Sequence, residues 1–190
     1  MAVEARHRVV QFPGGIRASI RWAGSGQGAA VFALSEAGGS LVDLGGLTGP
    51  DPEARCRAEV RVETPAGAWT VRLASTISDE PAGLLWDSEG QLVLKYGFHA
   101  YGLRARTGEL VWSHRSASPI LAVLGSSRLP HVLVQAEIET FALEADGEVA
   151  WRVAHSDVVI AAELVGGRLV LTSYGGHVVA LDPATGRSAG

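Results

Sequence analysis

The sequence predicts an all-β protein in which a unit of four short antiparallel strands is repeated. Three stretches share one strand–turn–strand pattern: LVLKYGFHAYGLRARTGELVW, HVLVQAEIETFALEADGEVAW and RLVLTSYGGHVVALDPATGRSAG. Gly108, Gly147 and Gly186 recur every 39 residues, and Trp112 and Trp151 have the same spacing. The apolar runs are short and bounded by glycine, and none joins a helix cap to a 3.6-residue period. Such a repeat is typical of the blades of a small β-propeller.

The first 80 residues predict an irregular β-region that contains a first blade. Strands are predicted at HRVVQF (7–12), IRASIRW, CRAEVRVE and AWTVRL, and in CRAEVRVE small apolar residues alternate with charged ones. GSGQG at 24–28 is interpreted as a turn and not as a phosphate-binding loop, because an apolar strand and not a helix follows it. Residues 45–55, rich in Gly, Pro and Asp, are the predicted insertion or exposed loop.

Residues 81–190 carry the three repeats, and we expect them to form one structural domain with residues 1–80. The predicted blades cover residues 15–75, 80–116, 117–155 and 157–186. The last blade lacks a Trp-bearing fourth strand, and the N-terminal strand at 7–12 is the candidate to supply it. The alternative is an incomplete propeller, an open arc of three blades beside a distinct N-terminal β-region. Such an arc would leave at least one sheet edge unpaired.

The segments VVALDPATG and TGELVW resemble the repeat of PQQ-type β-propellers, in which an Ala-Leu-Asp strand, a Thr-Gly turn and a strand ending in Trp follow one another. This resemblance implies the fold but leaves the function open, because the same blade serves quinoprotein dehydrogenases and non-catalytic scaffolds. The enzymes of the family are eight-bladed, hold the quinone against a vicinal disulfide and bind calcium through acidic and amide side chains. Because this chain has one cysteine and no asparagine, we expect it to bind no such cofactor.

Composition and charge exclude several classes of partner. The net charge is −4 and no predicted element carries a cluster of Lys and Arg, so we expect no binding to nucleic acid. No run of 18 or more apolar residues and no signal peptide is recognisable, which favours a cytoplasmic protein without membrane contact. The single cysteine, Cys56, allows no disulfide within the chain.

Seven side chains lie at the turns between the second and third strands of successive repeats, which share one face of a propeller. They are the candidate ligand-binding residues: Tyr96, Phe98, His99, Glu137, Glu139, Tyr174 and His177. Rings and hydrogen-bonding groups of this kind suit a peptide or a small polar ligand. The alternative interpretation is that they are turn residues on blades too far apart to cooperate. No metal site is expected, since ligands from three blades would have to converge on one ion.

Three tryptophan and two histidine residues are interpreted as structural. Trp69, Trp112 and Trp151 are predicted to pack between blades, and His114 and His155 are predicted to lie at strand edges. No nucleophile elbow, zinc-protease motif or paired-cysteine motif is present. The sequence therefore shows no catalytic machinery.

Three functional hypotheses follow. The leading one is a non-catalytic binding or scaffold protein that recognises a peptide or protein through an open sheet edge or the turn-lined face, for example as an accessory protein in a biosynthetic pathway. The second is a lyase- or hydrolase-type enzyme with His99 or His177 as acid or base. The third is a structural module that forms homodimers or larger oligomers through its sheet edges.

Overall fold

A computed structural model of the chain describes residues 6–23, 40–44 and 56–189. Its strands are β1 Arg6–Phe12, β2 Ile16–Ala23, β3 Ser40–Asp43, β4 Cys56–Thr64, β5 Gly67–Ser75, β6 Ala82–Trp86, β7 Gln91–Tyr96, β8 His99–Arg104, β9 Leu110–Arg115, β10 Ile120–Leu124, β11 Val132–Ala136, β12 Glu139–Leu143, β13 Val149–Ala154, β14 Val159–Val165, β15 Arg168–Ser173 and β16 Val178–Leu181. These ranges contain no α-helix, only a 3-10 turn at Asp87–Glu89. The predicted turn at 24–28, the strand after it and the loop at 45–55 lie outside the described residues.

The strands form four sheets, as predicted for a small all-β propeller. Their strand orders are β1-β2-β4-β5-β3, β6-β7-β8-β9, β10-β11-β12-β13 and β14-β15-β16. The chain divides into two compact units. The first unit contains Met1–Pro81 and Leu103–Glu109, and the second contains Ala82–Gly102 and Leu110–Gly190. The prediction of an all-β fold with about four sheets is confirmed.

The first unit departs from a simple antiparallel blade. Strand β3 lies parallel to β5, with Ser40 opposite Trp69. Residues 56–60 of strand β4 are buried on both faces, so that Arg57 and Glu59 expose only 1% and 5% of their surface. Glu59 forms an ion pair with Arg72, with 3.5 Å between Oε2 of Glu59 and Nε of Arg72. The first two charged residues of the alternating pattern are therefore enclosed, whereas Arg61 is half-buried and Glu63 is exposed.

The predicted closure of the last blade by residues 7–12 is wrong. These residues lie in β1, which pairs with β2 along its whole length, from Arg6 opposite Trp22 to Phe12 opposite Ile16. A three-residue turn joins the two strands, and Gly14 in that turn has a φ of 81°. Because a short loop costs little chain entropy to close, β1 pairs with its neighbour in sequence. It is the edge strand of the first sheet, and no second strand pairs with its other side among the described residues.

The outer side of β16, where a fourth strand belongs, is partly occupied by the residues that follow the Thr-Gly turn. Leu181 forms an antiparallel bridge with Ser188. The backbone N–H of Ala189 donates to the carbonyl oxygen of Ala180 at 2.9 Å. The chain itself thus begins the fourth strand of this sheet.

The three sheets of the second unit pack in sequence order around two apolar cores. Side chains of the first two sheets form one core, which includes Trp86, Val93, Trp112, Ile120, Val132, Val134, Phe141 and Leu143. Side chains of the last two form the other, which includes Leu133, Ala142, Val159, Leu169, Leu171 and Leu181. Strand β11 contributes to both cores because its alternate side chains point to opposite faces of the sheet.

The 39-residue spacing of glycines corresponds to a repeated contact between tryptophan and glycine. A Cβ atom built on Gly147 would lie 2.4 Å from Cβ of Trp112, and one built on Gly186 would lie 2.4 Å from Cε3 of Trp151. The indole N–H of Trp112 donates to Gln91 Oε1 at 2.9 Å. Trp112 and Trp151 therefore each pack on the turn glycine of the following repeat, where a side chain has no room.

Candidate functional site

The seven predicted ligand-binding residues all belong to the second unit but differ in their surroundings. Tyr96 is completely buried, and its ring is out of reach of a ligand at the surface. Phe98, His99, Glu137 and Glu139 are half-buried, whereas Tyr174 and His177 are exposed. Apart from Tyr96, no hydrogen bond, ion pair or ring contact joins these side chains to one another in the described structure. The role of the set as one ligand site stays a prediction.

Glu139 has a structural role at the junction of two sheets. Its Oε1 accepts hydrogen bonds from the hydroxyl of Ser116 at 2.8 Å and from the backbone N–H of Ala117 at 3.2 Å. Its Oε2 lies 3.4 Å from Nε of Arg152. These contacts engage both oxygens, which leaves the carboxylate little capacity to bind a ligand.

His99, another of the seven predicted residues, packs against neighbouring side chains. Its ring stacks on Tyr101, with 5.8 Å between the ring centroids and an interplanar angle of 10°. Burial, and next the charge of Arg115, lower the pKa of His99. Burial also raises the pKa of Tyr101 to about 12. Both rings are therefore neutral at physiological pH.

The structure reveals a pocket that the sequence did not predict, and His177 is the only one of the seven residues that lines it. The pocket has a volume of about 490 Å³ and lies between the end of β13 and strands β15 and β16. It is lined by Ala154, His155, Ser156, Asp157, Val159, Leu171, Ser173, His177, Val178 and Val179. We name it the β13–β16 pocket. It combines an apolar floor with hydrogen-bonding groups, as ligand sites commonly do.

The imidazole of His155 enters this pocket in a fixed tautomer. The side-chain amide of Gln135 donates to the carbonyl oxygens of Ala136 and Glu139, so that its Oε1 must accept the hydroxyl proton of Thr140 at 2.6 Å. His155 Nε2, 2.6 Å from the same hydroxyl oxygen, must then be the donor. Burial lowers the pKa of His155. The neutral ring therefore carries its proton on Nε2 and keeps Nδ1 as a hydrogen-bond acceptor.

Asp157 stabilises the turn between β15 and β16 beside the pocket. Its Oδ2 accepts the backbone N–H of Gly175 at 2.9 Å, and its Oδ1 accepts that of Val158 at 2.8 Å. The bond from Gly175, followed by that from the Ser173 hydroxyl, lowers the pKa of Asp157. A Cβ on Gly175 would come within 2.8 Å of Oδ2, so glycine permits this close approach. The carboxylate is ionised at neutral pH and orders the β15–β16 turn.

The third sheet of the second unit also carries several exposed apolar side chains. Six of the ten exposed large hydrophobic side chains in the described part of the chain lie on this sheet or its connections: Val158, Ile160, Val165, Tyr174, Val178 and Val179. Val178 and Val165 expose 65% and 54% of their surface. Strand β11 of the preceding sheet, by contrast, is buried at every position.

Two kinds of feature are absent from the described ranges. No group of three or more His, Cys, Asp or Glu side chains there has a geometry that could hold a metal ion. None of the helical segments in those ranges has the length and apolar character needed to cross a membrane.

The packed antiparallel sheets and the repeated Trp–Gly contact define the fold class of PQQ-type β-propellers. In agreement, the family model described as outer membrane protein assembly factor BamB matches residues 98–189. The resemblance of the repeats to the PQQ-type family is thereby confirmed over that stretch. No curated protein matches the sequence.

Solved structures show the same fold at low sequence identity. BamB from Moraxella catarrhalis is 16% identical with a TM-score of 0.51, and the match covers 98% of this chain and 65% of that one. The computationally designed Ika8 protein is 11% identical with a TM-score of 0.55, covering 96% and 59%. The dihydro-heme d1 dehydrogenase NirN is 15% identical with a TM-score of 0.52, covering 75% and 35%. The chain thus spans between 35% and 65% of the length of these proteins.

These likenesses establish the fold alone. An assembly factor and a dehydrogenase share it, so the fold does not decide whether this chain catalyses a reaction. The function of this chain therefore depends on its own surface.

The sequence carries information about the β13–β16 pocket that the spacing of the repeats alone does not reveal. The register places Phe141 opposite Val134 and Val179 opposite Leu171, so that Phe141 and Val179 occupy equivalent positions in two sheets. A ring in one repeat is thus a small side chain in the next. Comparison of equivalent core positions, and not of turn residues, would have pointed to this place.

Proposed function

We propose that the protein is a binding module that recognises a peptide or protein partner at the third sheet of its second unit. The observation that carries this proposal is the concentration of exposed apolar side chains on that sheet, next to an incompletely paired strand. Surfaces of this kind on soluble proteins commonly mark interaction sites. The partner is bound without chemical change, in keeping with the absence of a catalytic motif in the sequence.

The outer edge of β16 supports recognition of an extended segment. In the preceding sheet, β13 pairs with β12 from Glu139 to Leu143. Next to β16 the pairs in the described residues are those of Leu181 with Ser188 and of Ala180 with Ala189. Unpaired N–H and C=O groups on such an edge can bind an added strand from another chain.

The turn-lined face receives less support as the binding surface. Tyr96 is buried and the Glu139 carboxylate is engaged by Ser116, Ala117 and Arg152. An accessory role in a biosynthetic pathway would follow if the partner were a precursor peptide, and the identity of the partner decides this. A cytoplasmic location stays a prediction from the sequence.

Site-specific photo-crosslinking tests the proposal. A photoreactive phenylalanine derivative replaces Val178 or, as the matched control, Val149, a valine of β13 that exposes 41% of its surface. Irradiation of the producing cells is expected to link position 178, and not position 149, to one defined peptide or protein. Adducts that contain only this chain would instead support the oligomer hypothesis. The lack of any adduct specific to position 178 would contradict the proposal.

A further inference from the structure

The first sheet carries a surplus of positive charge that no single strand reveals. Strands β1 to β5 contain seven arginines and only three carboxylates, whereas the whole chain has a net charge of −4. No strand has more than two of these arginines, which are spread over β1, β2, β4 and β5. The pairing of the strands, and not the sequence of any one of them, therefore brings this charge together.

The register places most of these arginines on one face of the sheet. Arg21 lies opposite Glu59, and Glu59 lies opposite Arg72. Because alternate residues of a strand share a face, five arginines lie on this side. They are Arg17, Arg21, Arg57, Arg61 and Arg72, and we name this side the arginine face. The opposite face consists of buried apolar side chains such as Val60 and Val71.

The arginine face is enclosed at one end and accessible at the other. Arg57 exposes only 1% of its surface. Close to the β1–β2 and β4–β5 turns, the side chains of Arg17 and Glu63 are 49% and 51% exposed, and that of Arg61 is 29% exposed. Arg21 is half-buried. Among the described residues, the accessible end thus presents three arginines and one carboxylate.

Two of the arginines share that single carboxylate. Oε2 of Glu63 lies 4.0 Å from Nη1 of Arg17, and Oε1 of Glu63 lies 3.9 Å from Nε of Arg61. A guanidinium has five N–H donors in a planar fork that matches a carboxylate. Because both contacts to Glu63 are long and each involves one nitrogen, the two guanidinium groups retain donors for a carboxylate of another molecule.

The accessible arginines are regularly spaced along the strands. Arg61 lies opposite Ser19, which is midway between Arg17 and Arg21 on β2. In the strand direction the three arginines therefore follow one another at intervals of two residues, or about 6.8 Å. An extended polypeptide with a carboxylate at every second residue has the same interval, since its alternate side chains project to one side.

We propose that the accessible end of the arginine face binds an extended acidic segment of a partner protein, whose carboxylates at alternate residues contact Arg17, Arg61 and Arg21. A nucleic acid fits this surface less well, because Glu63 lies between two of the arginines and repels phosphate groups. The surface belongs to the first unit. The proposal is therefore independent of the binding surface proposed on the second unit.

The experiment uses the full chain and three synthetic peptides in NMR titrations. The alternating peptide is acetyl-Thr-Glu-Thr-Glu-Thr-Glu-Thr-amide, its isomer is acetyl-Thr-Thr-Glu-Glu-Glu-Thr-Thr-amide, and the neutral control has Gln in place of each Glu of the alternating peptide. At about 10 mM salt the alternating peptide is expected to shift amide signals of β2 and β4 and to bind at least about threefold more tightly than its isomer. The neutral peptide should cause no shift. Binding should weaken at about 100 mM salt, where the Debye length is about 10 Å instead of about 30 Å.

Substitution of the accessible arginines tests the site itself. Arg17→Gln combined with Arg61→Gln is expected to weaken binding of the alternating peptide at least about fivefold. As the matched control, Arg106→Gln combined with Arg128→Gln removes the same charge from exposed positions outside β1–β5 and should leave the affinity within about twofold. Arg17→Gln alone, at an exposed position, should cost about twofold and replaces the double variant if that variant does not fold.

Four results would overturn the proposal. Equal binding of the alternating peptide and its isomer would show that charge alone, without the spacing, accounts for the attraction. Unchanged binding by the Arg17 and Arg61 double variant would exclude this face. Tighter binding of a short oligothymidylate than of the alternating peptide would assign the face to a nucleic acid. Self-association in sedimentation without peptide, lost in the same double variant, would assign it to a second copy of the chain.

Discussion

Single turn glycines set how closely successive repeats approach each other within the second unit. Gly147 has a φ of 89° and lies against Trp112, so two independent constraints favour glycine at this position. Gly166 has a φ of 57° but no atom near the place of a Cβ. Comparison of Gly147 with Gly166 therefore separates the energetic cost of backbone strain from the cost of steric overlap.

We expect Gly147→Ala to destabilise the protein more than Gly166→Ala. Either change forces alanine into the left-handed region, at a cost of about 1–2 kcal/mol. Gly147→Ala adds a clash with Trp112, which raises the loss by about 1–3 kcal/mol because the packed indole must move. Urea unfolding of both variants measures the difference in free energy. Equal losses would show that the indole moves away without cost.

The third sheet of the second unit differs from the other two sheets of that unit in the burial of its side chains and in its number of strands. Strand β11 is buried at all five positions, whereas β14 alternates around exposed residues and β16 begins with two exposed valines. The sheet has three named strands instead of four. With fewer buried apolar contacts, it is expected to open more readily than its neighbour.

Native-state hydrogen exchange should detect this difference. Amides of β14 and β16 are expected to show protection factors at least about tenfold lower than those of β11 and β12, or about 1.4 kcal/mol less. The comparison is internal, since all four strands belong to the same unit and the same sample. Equal protection would indicate that the exposed sheet is covered in solution, for instance by self-association, and would weaken the case for a free binding surface.

At the scale of the whole molecule, half-buried histidines make stability depend on pH. Burial is the main cause that lowers the pKa of His99, His114 and His155, and the charge of Arg115 or Arg152 adds to this effect in the first two. Their ordinary pKa is 6.5. As the pH falls through this value, the unfolded chain takes up protons that the folded chain does not. The free energy of unfolding must then decrease.

We expect the urea midpoint of unfolding to fall between about pH 7.5 and about pH 5.5, a range in which histidine is the main titrating side chain. Replacement of His99, His114 and His155 together by Asn should remove most of this dependence. His7→Gln, at an exposed position of β1, is the control that should retain it. A midpoint that rises on acidification would contradict the argument.

The sequence predicted most of the fold because its signals are local. Alternation of apolar residues, turn glycines and the 39-residue spacing identified β2, β4 and β5 and the strands of the three repeats. The pairing partner of β1 was predicted wrongly, because alternation shows that a segment is a strand and not which strand lies beside it. Loop length favours the pair of β1 with β2, through the low cost of closing the turn at Gly14 and Gly15.

The sequence by itself determined the class of fold, the repeat and the residues that pack each repeat on the next, since these depend on short-range patterns that recur. Only the tertiary structure decided which side chains are available to a ligand. In the structure Tyr96 is buried and the Glu139 carboxylate accepts a hydrogen bond from Ser116. A pocket is present where Val179 takes the place of Phe141. The physical reason is that space and burial depend on the neighbouring sheet, and a side chain's own type does not specify what faces it across the core.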